Sequence, residues 1–116
     1  MKLNPETIEQ IKVHEWVKQK TDLPFIHIPN EAKRTITLGN ILKRMGMRAG
    51  VSDIFIPRAS KGYHGLWIEL KVGSNQPTEN QIQFIEDMHK EGYQAMTCWG
   101  ADSAIRVIRD FYNKTN

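Results

Sequence analysis

The sequence predicts an α/β fold, a small mixed β-sheet flanked by helices, and two observations carry this prediction. Apolar residues recur at helical spacing near the start of the chain, around residue 40, after residue 78 and near the end. Short runs rich in β-branched and aromatic residues, bounded by Gly or Pro, lie between these segments. The 116 residues suffice for a single domain, 1–116, with one modest core.

The first half of the chain is predicted to form a helix, a strand and a second helix. Residues 4–20 form the first helix, with Asn4 as its N-cap and Pro5 in its first turn. The apolar side of this helix is expected to consist of Ile8, Ile11, Trp16 and Val17. A short edge strand is expected within 23–30, and a helix over 38–45 with apolar residues at 38, 41, 42 and 45.

A hairpin with charged residues inside it is predicted next. Its strands are 51–57 and 66–72, joined by the turn region RASKGYHG. Glu69 and Lys71 stand among apolar residues of the second strand, and residues two apart project to the same face. A charge in such surroundings is costly unless it is paired or binds a ligand. A solvated face or a simple ion pair is the ordinary alternative.

Asp53 begins the preceding strand and is expected to approach Glu69 across the hairpin. Two carboxylates that converge repel each other, so the pair favours a bound cation. Oxygen ligands without His or Cys suit Mg²⁺ or Mn²⁺. Lys71 beside such a cation could orient or help deprotonate a water, or stabilise charge on a phosphate. This combination of groups is typical of phosphodiester hydrolysis.

The remaining elements are a helix, a strand and a final helix. Thr78 is expected to begin the helix, in a capping box with Gln81. Its apolar side is expected to contain Ile82, Ile85, Met88 and His89. A strand over 93–99 follows, and then a helix capped by Asp102 or Ser103. The apolar face of that last helix is expected to contain Ile105, Ile108, Phe111 and Tyr112.

Composition restricts the class of protein. The net charge of +3 is a mild basic bias, compatible with nucleic acid. A single cysteine, Cys98, excludes an internal disulfide and is expected to be a buried apolar group. No membrane span or signal peptide is visible, so a cytoplasmic protein, bacterial or phage-encoded, is expected. The sequence contains neither a GxGxxG motif nor a P-loop, so no small-molecule organic cofactor is expected.

An ordered set of motifs resembles a known family. It comprises Gly50 to Asp53 (GVSD), Tyr63 to Gly65 (YHG), Glu69 to Lys71 (ELK) and Gln81. The set is similar to the virus-type replication-repair nuclease (VRR-NUC) domain of the PD-(D/E)xK nuclease superfamily. The resemblance covers nearly the whole chain and implies a PD-(D/E)xK restriction-endonuclease-like core. Ser52 stands where the family pattern usually has Pro.

The resemblance also implies roles for these residues. Asp53 and Glu69 would hold Mg²⁺ or Mn²⁺ together with the Leu70 carbonyl, and Lys71 would be the catalytic lysine. Gln81 would lie near the active site. A first-helix Glu is also implied as a metal-site residue. Glu6 is preferred for its E-x-x-x-Q spacing with Gln10, with Glu9 and Glu15 as rivals and a helix-dipole role as the alternative.

Basic residues cluster around the motif Asp and predict phosphate contacts. The predicted nucleic-acid-binding residues are Lys33, Arg34, Lys43, Arg44, Arg48, Arg58 and Lys61, with His64 as a possible substrate contact. The other histidines are interpreted as structural or solvated. The tryptophans are expected in the core or an interface rather than as base-stacking platforms; they are Trp16, Trp67 and Trp99.

The resemblance and the small size together predict a metal-dependent, structure-selective endodeoxyribonuclease. Its expected substrate is branched DNA, such as a Holliday junction, and a homodimer would present one active site to each strand. Two alternatives stay open. The domain could be a non-catalytic DNA-junction-binding module, or a sequence-specific or RNA-directed nuclease on the same fold.

Overall fold

The computed structural model of the protein describes residues 1–29 and 35–113. Four helices and four strands alternate along these residues in the order predicted from the sequence. The helices are α1 (Pro5–Lys20), α2 (Ile36–Arg44), α3 (Glu79–Lys90) and α4 (Ala101–Tyr112). The strands are β1 (Ile26–His27), β2 (Ile54–Ile56), β3 (Leu66–Lys71) and β4 (Gln94–Trp99). The predicted α/β class, a small mixed sheet with helices, is confirmed.

The strands form one mixed sheet in the order β1-β2-β3-β4. β1, β2 and β3 pair antiparallel, whereas β3 and β4 are parallel because α3 connects them. The predicted hairpin is β2–β3, with Ile54 opposite Ile68. The predicted edge strand is β1. This topology places β3, the strand that carries the charged residues, in the interior of the sheet.

One face of the sheet carries the core. Leu66, Ile68 and Leu70 alternate along β3 and are fully buried. α1 and α4 pack on this face through a cluster that includes Val13, Val17, Ala104 and Ile108, joined by the predicted buried Cys98. Each large side chain buried in this way stabilises the fold by about 1.5–3 kcal/mol. β3 is therefore held rigidly from the apolar side, while its other face is available for the charged residues.

The apolar sides predicted for α1 and α3 are partly wrong. In α1, Ile8 and Ile11 are exposed, and Val13 and Val17 form the buried stripe. The second half of α1 contacts the core, so the apolar residues of its first half, Ile8 and Ile11, stay exposed. In α3 the buried residue is Phe84, whose ring packs edge-on against Trp67, whereas Ile82 is exposed. Docking against an aromatic residue of the sheet sets the rotation of this helix.

The prediction that Asp102 or Ser103 caps the last helix is wrong. α4 begins at Ala101, and Gly100, the one residue between β4 and this helix, has φ +83° and no side chain to cap the helix. Glu9 of α1 supplies the missing acceptor, because its Oε1 accepts a hydrogen bond of 3.0 Å from the Ala101 backbone N–H. This hydrogen bond lowers the pKa of Glu9 and joins the first helix to the last.

α2 forms as predicted, but its apolar side is not covered by the described part of the chain. Thr35 caps the helix by accepting a hydrogen bond from the Leu38 N–H. None of its residues is buried, and the apolar stripe is exposed, with Leu38 and Ile41 at 45% and Met45 at 76%. Within residues 1–29 and 35–113, no helix combines the length and the apolarity that a membrane crossing requires.

Candidate active site

The register of the β2–β3 hairpin brings Asp53 opposite Glu69. Asp53 immediately precedes β2, and Ile54 pairs with Ile68, so the next pair outward consists of the two acids. Asp53 is buried, and its Oδ2 accepts a hydrogen bond of 2.8 Å from the Leu70 backbone N–H. This bond fixes one carboxylate oxygen of Asp53 against the backbone of the strand that carries Glu69. The predicted approach of the two carboxylates across the hairpin is therefore observed.

Glu69 is a buried acid with an incomplete set of partners. It is 2% exposed, and its Oε2 lies 3.9 Å from the Lys71 Nζ. Its Oε1 is also buried and hydrogen-bonds to none of the described residues. Burial raises the pKa of Glu69 to about 9, and the charge of Asp53 and a hydrogen bond to it act in the same direction. Lys71 opposes this rise. Without a cation, the carboxyl therefore keeps its proton at neutral pH.

These groups line a cavity of about 770 Å³, which we call the carboxylate cavity. Its walls come from the N-terminal turns of α1, the ends of β2 and β3, the loop after β3 and the first turn of α3. The polar lining residues are Asn4, Glu6, Thr7, Gln10, His27, Asp53, Glu69, Lys71, Asn75 and Gln81. The cavity thus gathers side chains that are far apart in the sequence around one buried acidic pair.

Glu6 is the first-helix acid that the structure brings to this cavity. Burial raises the pKa of Glu6, the charge of Asp53 raises it further, and Lys71 lowers it. Glu9 instead caps α4 and pairs with Lys12 at 3.0 Å. Glu15 is exposed and does not line the cavity. The preference for Glu6 over its rivals therefore agrees with where the side chains lie.

Gln81 takes part in the capping box of α3 and also lies at the cavity, the two possibilities that the sequence allowed. It completes the predicted capping box: its Oε1 accepts from the Thr78 N–H at 2.8 Å, and the Thr78 Oγ1 accepts from the Gln81 N–H at 3.2 Å. It also lines the carboxylate cavity. The first turn of α3 lies close to Gly50. A Cβ atom at this position would lie 2.4 Å from the Asn80 carbonyl carbon. The Gly of the motif therefore permits the loop before Asp53 to touch this helix.

Five polar residues of the cavity were not predicted as site residues: Asn4, Thr7, Gln10, His27 and Asn75. The His27 Nδ1 lies 3.1 Å from the Asp53 carbonyl oxygen, so this nitrogen carries the proton of the bond. The Gln10 Nε2 is buried without a hydrogen-bond partner among the described residues. In the sequence, Gln10 is related to Glu6 by a four-residue spacing, which puts both on one face of α1, but no role was predicted for Gln10. His27 gave no such signal, since its place depends on the pairing of β1 with β2.

The basic residues predicted in one cluster are divided by the structure. Arg58 and Lys61 line a second cavity of about 720 Å³, the basic cavity, which shares no lining residue with the carboxylate cavity in the described chain. Arg58 pairs with Asp22 at 2.6 Å, and the Lys61 Nζ donates to the Asn113 carbonyl at 2.8 Å. Both side chains are therefore engaged within the protein.

The other predicted basic residues have varied surroundings. Arg48 pairs with Asp87 at 2.6 Å and lies over the ring of Phe84. Lys43 and Arg44 are exposed in the last turn of α2, and Lys33 and Arg34 lie outside the described residues. The His64 ring packs against Tyr93 and lines neither cavity. No single basic surface beside the carboxylates emerges from the described residues.

The donor chemistry of the carboxylate cavity fits a hard divalent cation. Asp53 and Glu69 supply oxygen donors, and the unpartnered Oε1 of Glu69 is the kind of buried atom that a cation would satisfy. In the described ranges, no group of three or more His, Cys, Asp or Glu residues is placed to hold a metal ion. A cation would therefore rely on two carboxylates, with backbone oxygen and water completing its shell.

A mixed β-sheet with helices, and an Asp, a Glu and a Lys gathered on one hairpin, form the arrangement that the resemblance to a nuclease-type domain implies. Comparison with known proteins gives the family. The VRR-NUC domain profile matches residues 3–102. A solved structure, a VRR_NUC domain protein, superposes with a TM-score of 0.80 at 32% identity, over 97% of this chain and 91% of its own. No curated protein matches. The chain belongs to the VRR-NUC domain family, which confirms the resemblance.

Proposed function

We propose that the protein is a metal-dependent, structure-selective endodeoxyribonuclease that hydrolyses phosphodiester bonds in branched DNA, with four-way junctions as its substrate. The single observation that carries the proposal is the convergence of the buried Asp53 and Glu69 with the half-buried Lys71. The Oε1 atom of Glu69 has no hydrogen-bond partner among the described residues. Its Oε2 atom lies near the Lys71 Nζ. A buried acid with an unsatisfied oxygen destabilises a fold, and groups with strongly shifted pKa values concentrate at functional sites.

The residues of the cavity have distinct proposed roles. Asp53 and Glu69 would hold Mg²⁺ or Mn²⁺, together with the Leu70 carbonyl. When bound, the cation would neutralise charge on the phosphate and make water a better nucleophile. Lys71 would donate a hydrogen bond to a phosphate oxygen that becomes more negative during attack. The oxygen of water forms a bond to phosphorus, one ester P–O bond breaks, and the departing oxygen takes a proton.

Further residues would position the substrate or the cation. Glu6 adds a third acid to the wall of the cavity. Gln81 stands in the first turn of α3, and the N-terminal end of a helix attracts phosphate through its dipole and free N–H groups. Lys43 and Arg44 on α2 are exposed and available for phosphate contacts beyond the cavity.

We include a homodimer in this proposal and assign its interface to α2. Leu38, Ile41, Leu42 and Met45 form one stripe of this helix, and the described chain does not bury it. Lys43 and Arg44 lie on the opposite side by helical spacing. A second copy related by a two-fold axis would cover the stripe with an identical stripe and leave the basic residues outside. Two active sites would then face two strands.

The nuclease proposal is tested by cleavage of a labelled DNA panel. The panel holds a four-way junction, a flap, a splayed fork, plain duplex and single-stranded DNA, each with Mg²⁺, Mn²⁺ or a chelator. We expect metal-dependent cutting of the junction that Glu69→Ala abolishes. Junction binding without cutting under any metal would favour a binding module. Cutting confined to one duplex sequence or to RNA would move the assignment to the remaining alternative.

The homodimer is tested by measuring mass in solution with light scattering. Ile41→Lys places a charge in the stripe and is expected to convert dimers to monomers. Ile36→Lys is the matched control, because Ile36 is 85% exposed on the same helix but on its other side. A wild-type monomer, or a dimer that survives Ile41→Lys, would contradict the assignment of the interface.

A further inference from the structure

Trp99 lies next to the catalytic lysine in the sheet. It is the last residue of β4 and pairs in register with Lys71 of β3. Neighbouring strands are about 4.8 Å apart, and paired residues project to the same face. Trp99 therefore extends on the face that carries Glu69 and Lys71. It is 42% exposed, a large fraction for the largest apolar side chain.

The exposed indole has a fixed position. Its Nε1 donates a hydrogen bond of 2.8 Å to the carbonyl of Asn75, a residue that lines the carboxylate cavity. The next residue, Gly100, donates from its backbone N–H to the Lys71 carbonyl at 2.8 Å, which ties the end of β4 to β3. The polar edge of the ring is thus bonded to a residue that lines the cavity, and the backbone after Trp99 is bonded to Lys71.

Trp99 differs from the other two tryptophans. Trp67 is stacked on Phe55, with ring centroids 4.1 Å apart, and meets Phe84 edge-on. Trp16 packs against the core. Trp99 has no aromatic ring contact within residues 1–29 and 35–113 and lies outside the core cluster. Trp16 therefore has the expected core position, and Trp67 packs between two aromatic rings outside the core cluster, whereas the face of Trp99 packs against no other ring of the described residues.

We propose that Trp99 is a binding position for an unpaired nucleobase of the DNA strand whose phosphate lies at Lys71. An indole face stacks on any base, and such stacking is sequence-tolerant because every base has a π-face. A base inside a continuous duplex is already stacked on both sides. A base at a branch point or in a single-stranded arm has a free face. The position would therefore select DNA structure rather than sequence, and it rests on the proposed nuclease function.

The test measures DNA binding rather than cleavage. The protein carries Glu69→Gln so that the strand is not cut. One probe is a labelled duplex with a short single-stranded arm of thymidines, and the other is the same duplex with abasic residues in the arm. We expect the thymidine arm to bind about tenfold more tightly, which corresponds to about 1.4 kcal/mol of stacking. Trp99→Ala should remove this preference.

Two further variants separate stacking from a structural role. Trp99→Phe keeps an aromatic face and loses the N–H bonded to Asn75, so it should retain the preference for bases. Tyr63→Ala is the matched control, because Tyr63 is another exposed aromatic, at 37%, in the turn beyond the opposite end of β3. It should leave the preference unchanged. Thermal melting of each variant verifies that it is folded.

Each alternative result has a definite reading. Equal binding of thymidine and abasic arms by protein with Trp99 intact would overturn the inference, as would a preference that survives Trp99→Ala. A Trp99→Phe variant that behaves like Trp99→Ala would also overturn it, because the indole would then only brace the loop at Asn75. DNA binding with no base preference leaves the nuclease proposal in place. Absence of DNA binding in the wild type as well would overturn both.

Discussion

The carboxylate cavity and the basic cavity are similar in volume, at about 770 and 720 Å³, but differ in how their charges are satisfied. In the basic cavity, Arg58 is paired with Asp22, and Lys61 donates to a carbonyl. Both are solvated, and screened pairs of this kind contribute about 0–1 kcal/mol each. In the carboxylate cavity, Glu69 is buried with one oxygen unpartnered among the described residues. The difference indicates that a buried acid with an unsatisfied oxygen, rather than cavity size, distinguishes a candidate catalytic site.

The two cavities also lie at opposite ends of the same scaffold. Glu6 is near the start of α1 and lines the carboxylate cavity, whereas Lys20 ends α1 and lines the basic cavity. Fourteen residues of helix separate them by about 21 Å, roughly the width of a DNA duplex. The C-terminal ends of α1 and α4 face the basic cavity, and their dipoles partly offset its positive charge. Its basic residues therefore have a structural reason to be present.

The largest difference between the cavities is expected in catalysis. Lys71→Ala should reduce junction cleavage by on the order of 10³-fold, because the charge that stabilises the phosphate is removed. Lys61→Ala is the matched lysine of the basic cavity and should leave the rate within about twofold. Single-turnover cleavage of a labelled junction measures both. Equal reductions in the two variants would show that the comparison misidentifies the catalytic end of the sheet.

A smaller difference is expected in stability. The pKa of Glu69 is raised from 4.5 to about 9 in the folded protein, so the folded state binds a proton that the unfolded state has released. Stability in chelator should therefore fall as the pH rises across that interval. The glutamine of Glu69→Gln does not titrate. The free energy of unfolding of this variant should therefore exceed that of the wild type by an amount that grows with pH, to on the order of 2 kcal/mol.

Thermal melting from pH 5 to 9 measures this effect. Asp87→Asn is the control, because the pKa of Asp87 is lowered by Gln83 and by Arg48. This carboxylate is ionised in both states throughout that range, so the variant should differ from the wild type by a constant amount. A difference between Glu69→Gln and the wild type that does not change with pH would contradict the raised pKa.

The smallest difference is expected in DNA affinity. Lys43→Ala with Arg44→Ala should weaken binding several-fold and reduce the salt dependence of log K by about 2, because each of these side chains would neutralise one phosphate. Arg58→Ala with Lys61→Ala should change the salt dependence less, because both groups have partners within the protein. Titrations of a junction at several salt concentrations give the two slopes. A larger fall for the second pair would return Arg58 and Lys61 to the DNA-binding surface.

Local patterns in the sequence were sufficient to predict the order of elements and the acidic pair. Alternation along β3 determines which residues face the core, and a slip of one residue would bury Lys71 and expose Leu70. The turn between β2 and β3 then places Asp53 opposite Glu69. Gln81 and its capping box are likewise determined within one helical turn. These predictions needed no knowledge of how distant segments pack.

Contacts between distant segments could not be predicted in this way. Glu9 reaches Ala101, 92 residues later, and no periodicity specifies such a pair. Burial of Phe84 in place of Ile82 depends on the aromatic surface that Trp67 presents. The separation of Arg58 and Lys61 from the carboxylates follows from the length of β3, since six residues span about 20 Å. Closeness in sequence was therefore a poor guide to closeness across the sheet.

The hydrogen bond from Ala101 to Glu9 has a consequence for the order of events during synthesis. At about 5–20 residues per second, a ribosome needs roughly 5–20 s to add the residues that separate these partners. Throughout that interval α1, the helix that carries Glu6, lacks its hydrogen bond to α4. The hairpin with Asp53 and Glu69 is translated before this hydrogen bond between α1 and α4 can form. The hydrogen bond that joins α1 to α4 therefore forms only after the last helix has begun to be synthesised, well after both acids of the hairpin.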